Sequence, residues 1–238
     1  MEEKQYYDIN LGVLKHIGSG LKILDMGCGT GLLGHEMKKK GNYVYGLDTS
    51  KKELSIAKKK LDCVKEMDIS SDKIDLPRDF DAIVISDVLE HLKEPASCLK
   101  TFKSYLKPNG KVIISVPNVA CYNMRLSLLF GQFNYKKYGI LDDTHLRFFT
   151  FKTAKKMVES AGYRIMKVDT TPYLIRPLFH IYKSLFFRNR GDNEVNANVL
   201  NSKLFSTYKD YIFPLENFIT KLWPGLLAYQ AIIIAKKK

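Results

Sequence analysis

Asp25 ends the short run Lys22-Ile23-Leu24, and a glycine-dense turn follows it: Gly27-Cys28-Gly29-Thr30-Gly31. Glycines at alternate positions let the chain turn sharply and let a ligand lie against the backbone, because no Cβ intervenes. The glycines alone do not choose that ligand. Gly29-Thr30-Gly31-Leu32-Leu33-Gly34 also fits G-x-G-x-x-G, a dinucleotide fingerprint. The carboxylate discriminates: beside the loop it repels a pyrophosphate and attracts positive charge. S-adenosylmethionine, which bears a sulfonium and an ammonium and no phosphate, meets that requirement.

Other side chains have matching chemistry. Asp48 ends a second apolar run, Tyr43 to Leu47, and a carboxylate there can accept both hydroxyls of a ribose. A hydroxyl acceptor of a methyl group must lose its proton, which a histidine of near-neutral pKa can take. His145 lies in an acidic, aromatic stretch, with Asp142 and Asp143 near enough to orient an imidazole. Arg147 has the planar fork that suits an anionic sugar or phosphate. Asp142, His145 and Arg147 could equally tie their own loop down. Tyr122, Asn123, Arg125, Tyr135 and Tyr138 are either acceptor-pocket lining or ordinary loop packing.

The scaffold that must position these residues is legible as alternation. Strand-like runs at Lys22 to Asp25, Tyr43 to Asp48, Val64 to Met67, Ala82 to Ser86 and Lys111 to Val116 alternate with helix-like segments. That pattern predicts a doubly wound parallel sheet with helices on both faces. A helix leads from Lys4 to His16, Ser50 caps another, and Pro95 opens a third. Later come a helix over Ala120 to Phe130, an aromatic-rich loop to Phe149, a helix over Lys152 to Ala161 and strands at Tyr163 to Asp169 and Tyr229 to Ala235. Ligands of such sheets sit beyond the carboxyl ends of the strands, where these candidates fall.

The run Ile23-Leu24-Asp25-Met26-Gly27-Cys28-Gly29-Thr30-Gly31 resembles motif I of the class I S-adenosylmethionine-dependent methyltransferases. The resemblance continues through Gly46-Leu47-Asp48-Thr49-Ser50, Phe80 to His91 and Leu106-Lys107-Pro108-Asn109-Gly110, covering residues 20 to 120. A second block, Gly139 to Thr150, resembles a bacterial and archaeal subgroup associated with polysaccharide and glycan biosynthesis. The resemblance implies an α/β, Rossmann-like sheet of seven strands, the last antiparallel and inserted between strands five and six. It also implies a helical insertion over 172–226. It carries cofactor contact onto Asp25, Gly27, Cys28, Gly29, Thr30, Gly31, Asp48, Thr49, Asp68, Ile69, Ser86, Asp87, Val88 and His91, with Asp68 at the adenine amino group. Glu90 and His91 read as pocket wall before proton-transfer groups.

Composition bounds the remaining choices. The 238 residues, 45% hydrophobic and 26% charged, suit one domain: a leading helix over 1–18, a cofactor core over 19–118, an acceptor region over 119–150, the insertion, and a last strand with a basic tail over 227–238. Cys28, Cys63, Cys98 and Cys121 are scattered, so neither disulfides nor a metal site is expected. The charged start Met1-Glu2-Glu3-Lys4 resembles no signal peptide, and no run spans a bilayer, which suggests a cytoplasmic protein. The net charge of +13 favours anionic partners or mere solubility. Arg176 to Arg188 patterns as a helix with a narrow basic stripe and a wide aromatic face, fitting a membrane interface, a lipid carrier, a lid or a homodimer contact. Nucleic acid is disfavoured, since no RNA-binding module and no Asn-Pro-Pro-Tyr-like element is present. The expected activity is O-methylation of a glycan, nucleotide-sugar or lipid-linked sugar. A quinone-type or phenolic small molecule is the main alternative, ahead of an RNA methyltransferase, a nicotinamide-dependent oxidoreductase or a non-catalytic cofactor-binding module.

Overall fold

The computed structural model describes residues 9–70, 74–172 and 207–238. Its centre is a seven-stranded sheet: β1 (Lys22–Met26), β2 (Tyr43–Asp48), β3 (Cys63–Glu66), β4 (Phe80–Ser86), β5 (Leu106–Pro117), β6 (Tyr163–Pro172) and β7 (Ala228–Lys237). The spatial order is β3-β2-β1-β4-β5-β7-β6. From β1 the chain winds outward through β2 and β3, then returns to lay β4 against the other side of β1. That reversal places a crevice above the carboxyl ends of β1 and β4. As expected, β7 runs antiparallel to both β5 and β6 and lies between them.

Side-chain alternation along each strand explains the layering. Leu24, Met26, Ile83, Ile85, Val112, Ile114 and Ile233 point to one face and join a single buried cluster. Their neighbours Ile23, Ala82, Val84, Ile113, Ile232 and Ile234 point to the other. This period of two lets near-continuous apolar runs serve two cores at once. The first face is covered by α4 (Pro95–Phe102) and α6 (Phe151–Ser160), through Leu99, Phe102, Ala154, Met157 and Val158. The second is covered by α1 (Leu11–Leu14), α2 (Leu32–Lys39) and α3 (Lys51–Ala57), through Val13, Met37, Leu54 and Ala57.

Helix ends follow local chemistry. Ser50 Oγ accepts the Glu53 N–H at the start of α3. Thr150 and Thr153 form a reciprocal cap on α6. Among the described residues, the region of the expected leading helix holds α1, four residues long and held by Asn10 Oδ1 accepting from Val13 N; residues 1–8 lie outside the described part. β5 begins earlier than its apolar run, because Leu106 already pairs with Phe80 across an irregular register. After β5 come α5 (Tyr122–Leu129) and the loop to Phe149. The described end of the insertion holds a π-helical turn (Tyr208–Ile212), α7 (Phe213–Leu222) and α8 (Pro224–Leu227). The Arg176 to Arg188 stripe lies outside the described residues. Among those described, no helix is long and apolar enough to cross a membrane, and the four cysteines are free thiols.

Candidate active site

The glycine turn leaves β1 with left-handed backbone at Gly27 (φ 72°), Gly29 (φ 51°) and Gly31 (φ 74°). Its close approach to other elements adds a second requirement. A Cβ on Gly27 would stand 2.4 Å from Val88 Cγ2, and one on Gly31 would stand 3.2 Å from Ala57 Cα. Gly27→Ala therefore combines backbone strain with overpacking and should cost about 3 kcal/mol. Urea unfolding of the variant checks this. Asp48 fixes the turn from β2: Oδ2 accepts Gly29 N–H at 2.9 Å and Oδ1 accepts Ser50 N–H at 2.9 Å. Each oxygen keeps a second lone pair, so both can still receive a diol. Below the turn, Asp25 is 2% exposed, and its Oδ2 has no hydrogen-bond partner. Burial, helped by the charge of Asp48, pushes the Asp25 carboxyl up to about 7. A buried acid left without a partner is what a cationic ligand would compensate.

A second cluster sits where β4 ends. Asp87 adopts φ 55°, the only left-handed non-glycine among the described residues. It is held by neighbours remote in sequence. Gln230 Nε2 donates to Asp87 Oδ1 at 2.7 Å, and Ser115 Oγ accepts the Asp87 N–H at 3.1 Å. Asn10 Nδ2 lies within 3.4 Å of both Asp87 Oδ2 and Ser86 Oγ, and 3.1 Å from Gln230 Oε1. Strain of this kind persists only where the surroundings over-determine it.

Beyond Asp87 a 3₁₀ turn, Leu89–His91, meets the loop that follows α5. The Glu90 carbonyl accepts two amides of that loop, Leu146 N at 2.8 Å and Arg147 N at 3.0 Å. This backbone clamp brings His145 onto His91, with ring centroids 4.8 Å apart and edge-to-face. His145 Nδ1 lies 3.0 Å from the Ile140 carbonyl, which can only accept. In the neutral ring the proton is therefore on Nδ1, which leaves the Nε2 lone pair as the acceptor. Nε2 is 3.9 Å from Glu90 Oε1. Glu90 is 1% exposed, and neither carboxylate oxygen has a hydrogen-bond partner. Burial first, then the charge of Asp87, lifts its carboxyl well above the ordinary range. Phe148 packs 6.3 Å from the His145 ring and continues into Phe133 and Tyr135.

A methyltransferase-domain family model matches residues 4–168 of this chain, well over half its length. The chain belongs to this methyltransferase family. With membership come the expected enzyme class and S-adenosylmethionine as methyl donor. One relative, the ubiquinone biosynthesis O-methyltransferase of Aeromonas salmonicida, is 27% identical over 69% of this chain and 71% of its own length. Its namesake in Nitrosococcus oceani is 36% identical over 49% of this chain and 54% of its own. Among solved structures, a SAM-dependent methyltransferase from Archaeoglobus fulgidus matches with a TM-score of 0.57. It is 21% identical and aligns over 93% of this chain and 88% of that one. The glycan-biosynthesis subgroup suggested by the block Gly139 to Thr150 is not what these relatives are named for.

In this methyltransferase the expected cofactor residues lie at or just beyond the carboxyl ends of β1, β2, β3 and β4, with differences in surroundings. Cys28 and Thr30 turn inward, and Cys28 joins the core against Gly46, so only their backbone can face a ligand. Thr49 is exposed, and Asp68 Oδ1 is occupied by Ser70 N–H, with Ile69 packed against the core. Val88 fills the space that Gly27 leaves. Asp142, expected to orient the imidazole, accepts from Thr144 N and Oγ1, while the Ile140 carbonyl stands on His145 Nδ1. Arg147, expected to hold an anionic acceptor, places Nε and Nη2 on the Lys93 carbonyl at 3.1 and 2.6 Å. It ties loop to loop.

Sequence reasoning missed Asn10, Ser115 and Gln230 as holders of Asp87. Only Gln230 leaves a trace, as a polar residue inside the run Tyr229 to Ala235. Gln230→Leu should remove the bond donated to Asp87 Oδ1, at about 1–3 kcal/mol. Isothermal titration should show weaker S-adenosylhomocysteine binding, with the fold preserved by circular dichroism.

Proposed function

We propose that this methyltransferase transfers a methyl group to a phenolic hydroxyl on a small, quinone-type acceptor. The observation that carries the reading is His145: its Nδ1 is pinned to a carbonyl, so the lone pair of Nε2 is presented beside an aromatic wall. Phe148, Phe133 and Tyr135 pack edge-to-face and tilted at 5.7 to 6.4 Å, and Phe133 and Tyr135 remain exposed, offering ring faces to a flat acceptor. The names of the relatives support the same class. The engagement of Arg147 with Lys93, and its approach to Glu94 at 3.7 Å, weighs against an anionic sugar.

When bound, S-adenosylmethionine supplies an electrophilic methyl group on a sulfonium, open to in-line displacement. Asp25 supplies negative charge beneath it, and Asp48 offers lone pairs to the ribose diol. The hydroxyl of the acceptor is activated at His145 Nε2, where its proton leaves as the new O–C bond forms. The departing C–S electron pair stays on sulfur. Asp87, locked by Gln230 and Asn10, shapes the wall between the two substrates.

Formation of S-adenosylhomocysteine against a panel of acceptors tests the proposal. Dihydroxyphenols with apolar tails should turn over and nucleotide-sugars should not; turnover confined to nucleotide-sugars would reverse the assignment.

A further inference from the structure

We propose that Glu90, His91 and His145 bind one divalent first-row transition cation, with Zn²⁺ as the simplest case and an open coordination position toward the acceptor. No metal site is expected from the sequence, because its ligands come from two loops 54 residues apart. The structure brings one ligand atom from each residue within 4.8 Å of the others. Two imidazoles and a carboxylate form the donor set of hydrolytic zinc centres, which keep a fourth position for water or substrate.

An independent observation is the state of Glu90. A carboxylate 1% exposed, with both oxygens lacking a hydrogen-bond partner, faces this cluster. Its Oε1 stands 3.9 Å from His145 Nε2, too far for a hydrogen bond and close to the ligand-to-ligand spacing around a shared ion. Bonds of about 2.0–2.1 Å in a tetrahedron put ligands about 3.3 Å apart, so closure is a matter of small side-chain rotations.

The outer contacts match as well. His145 Nδ1 meets the Ile140 carbonyl at 3.0 Å, and His91 Nδ1 meets Thr144 O at 3.3 Å and Oγ1 at 3.1 Å. Thr144 is held in turn by Asp142. Hydrogen bonds on the far ring nitrogens fix the tautomer that presents Nε2 to a metal. The Glu90 carbonyl, accepting from Leu146 and Arg147, holds the two loops in place before any ion arrives.

The inference rests on the proposed acceptor chemistry and refines it: with the cation bound, His145 Nε2 is a ligand, and activation on the cation replaces direct proton transfer to the ring. A hydroxyl on the open position is polarised, and its proton passes to solvent. The oxidation state of the metal does not change.

The test uses the full chain, free of any affinity tag and stripped with chelator, titrated with zinc chloride by calorimetry. Substitution of cobalt, read by its visible absorption, reports the donor geometry. One equivalent should bind, and affinity should fall at least ~100-fold in His145→Ala and in His91→Ala, and ~10–100-fold in Glu90→Gln. His91 is half-buried, so its variant serves even where the Glu90 substitution disturbs folding. No saturable site, or equal binding in His91→Ala and His145→Ala, overturns the proposal. Acceptor turnover is assayed on the same samples. Phenol methylation that persists in stripped, zinc-free protein overturns the cation and spares the acceptor reading. Site-dependent zinc binding without methylation of any phenol supports the site and removes the acceptor reading.

Discussion

Asp25→Asn should give a protein that is more stable without cofactor at pH 8 and that binds S-adenosylmethionine at least ~30-fold more weakly, the loss expected on deleting one partner of a buried charge pair. Burial raises the Asp25 carboxyl from 3.8 to about 7. Between those values the folded state holds a proton that the unfolded chain has released. The contribution to stability is therefore fully present below about pH 4 and is lost as pH rises through 7. A difference of about three pKa units corresponds to at most about 4 kcal/mol. Asparagine keeps the shape and removes the charge, so that loss disappears. Thermal melts of wild type and variant at pH 5 and pH 8 check the first half: the curves should lie further apart at pH 8 than at pH 5, because the loss accumulates from about pH 4 up to about pH 7. Titration with S-adenosylhomocysteine and S-adenosylmethionine checks the second, and the sulfonium form should suffer more. Equal affinity in the variant would show that Asp25 does not answer the charge of the cofactor.

His145→Ala should lower the rate of methyl transfer by about 10²–10⁴-fold, the range expected when a group that handles the acceptor proton is removed. Cofactor affinity should hold, because the glycine turn and Asp48 lie on other elements. A pre-ionised phenol bearing strongly electron-withdrawing groups should lose much less, since it brings no proton to remove. Single-turnover measurements with the two acceptor types separate this role from simple loop collapse, which would slow both alike.

What could be read from residue order depended on how local the cause was. Strands β1, β2 and β4 lie where their apolar runs predict, and Ser50 and Pro95 mark helix starts through local chemistry. Asp25 and Asp48 were legible because the chemistry and the turn that uses it share one short motif. The same logic failed at long range. Asn10 reaches Gln230 across 220 positions, and His145 meets Glu90 only because two loop amides find one carbonyl. No spacing rule encodes such a clamp. Nor did residue order show that Thr144, two positions from Asp142, donates twice to its Oδ1. Arg147 was read by its chemistry, and chemistry alone does not say that a backbone oxygen already claims it.

β7 lies between β5 and β6 although it follows both in the chain. The inner-edge hydrogen-bond ladders of β5 and β6 are therefore completed only when β7, made after both, docks between them. That segment also delivers Gln230 to Asp87. One strand thus joins two requirements, the continuity of the sheet and the hold on Asp87, so a change that displaces β7 is felt at both.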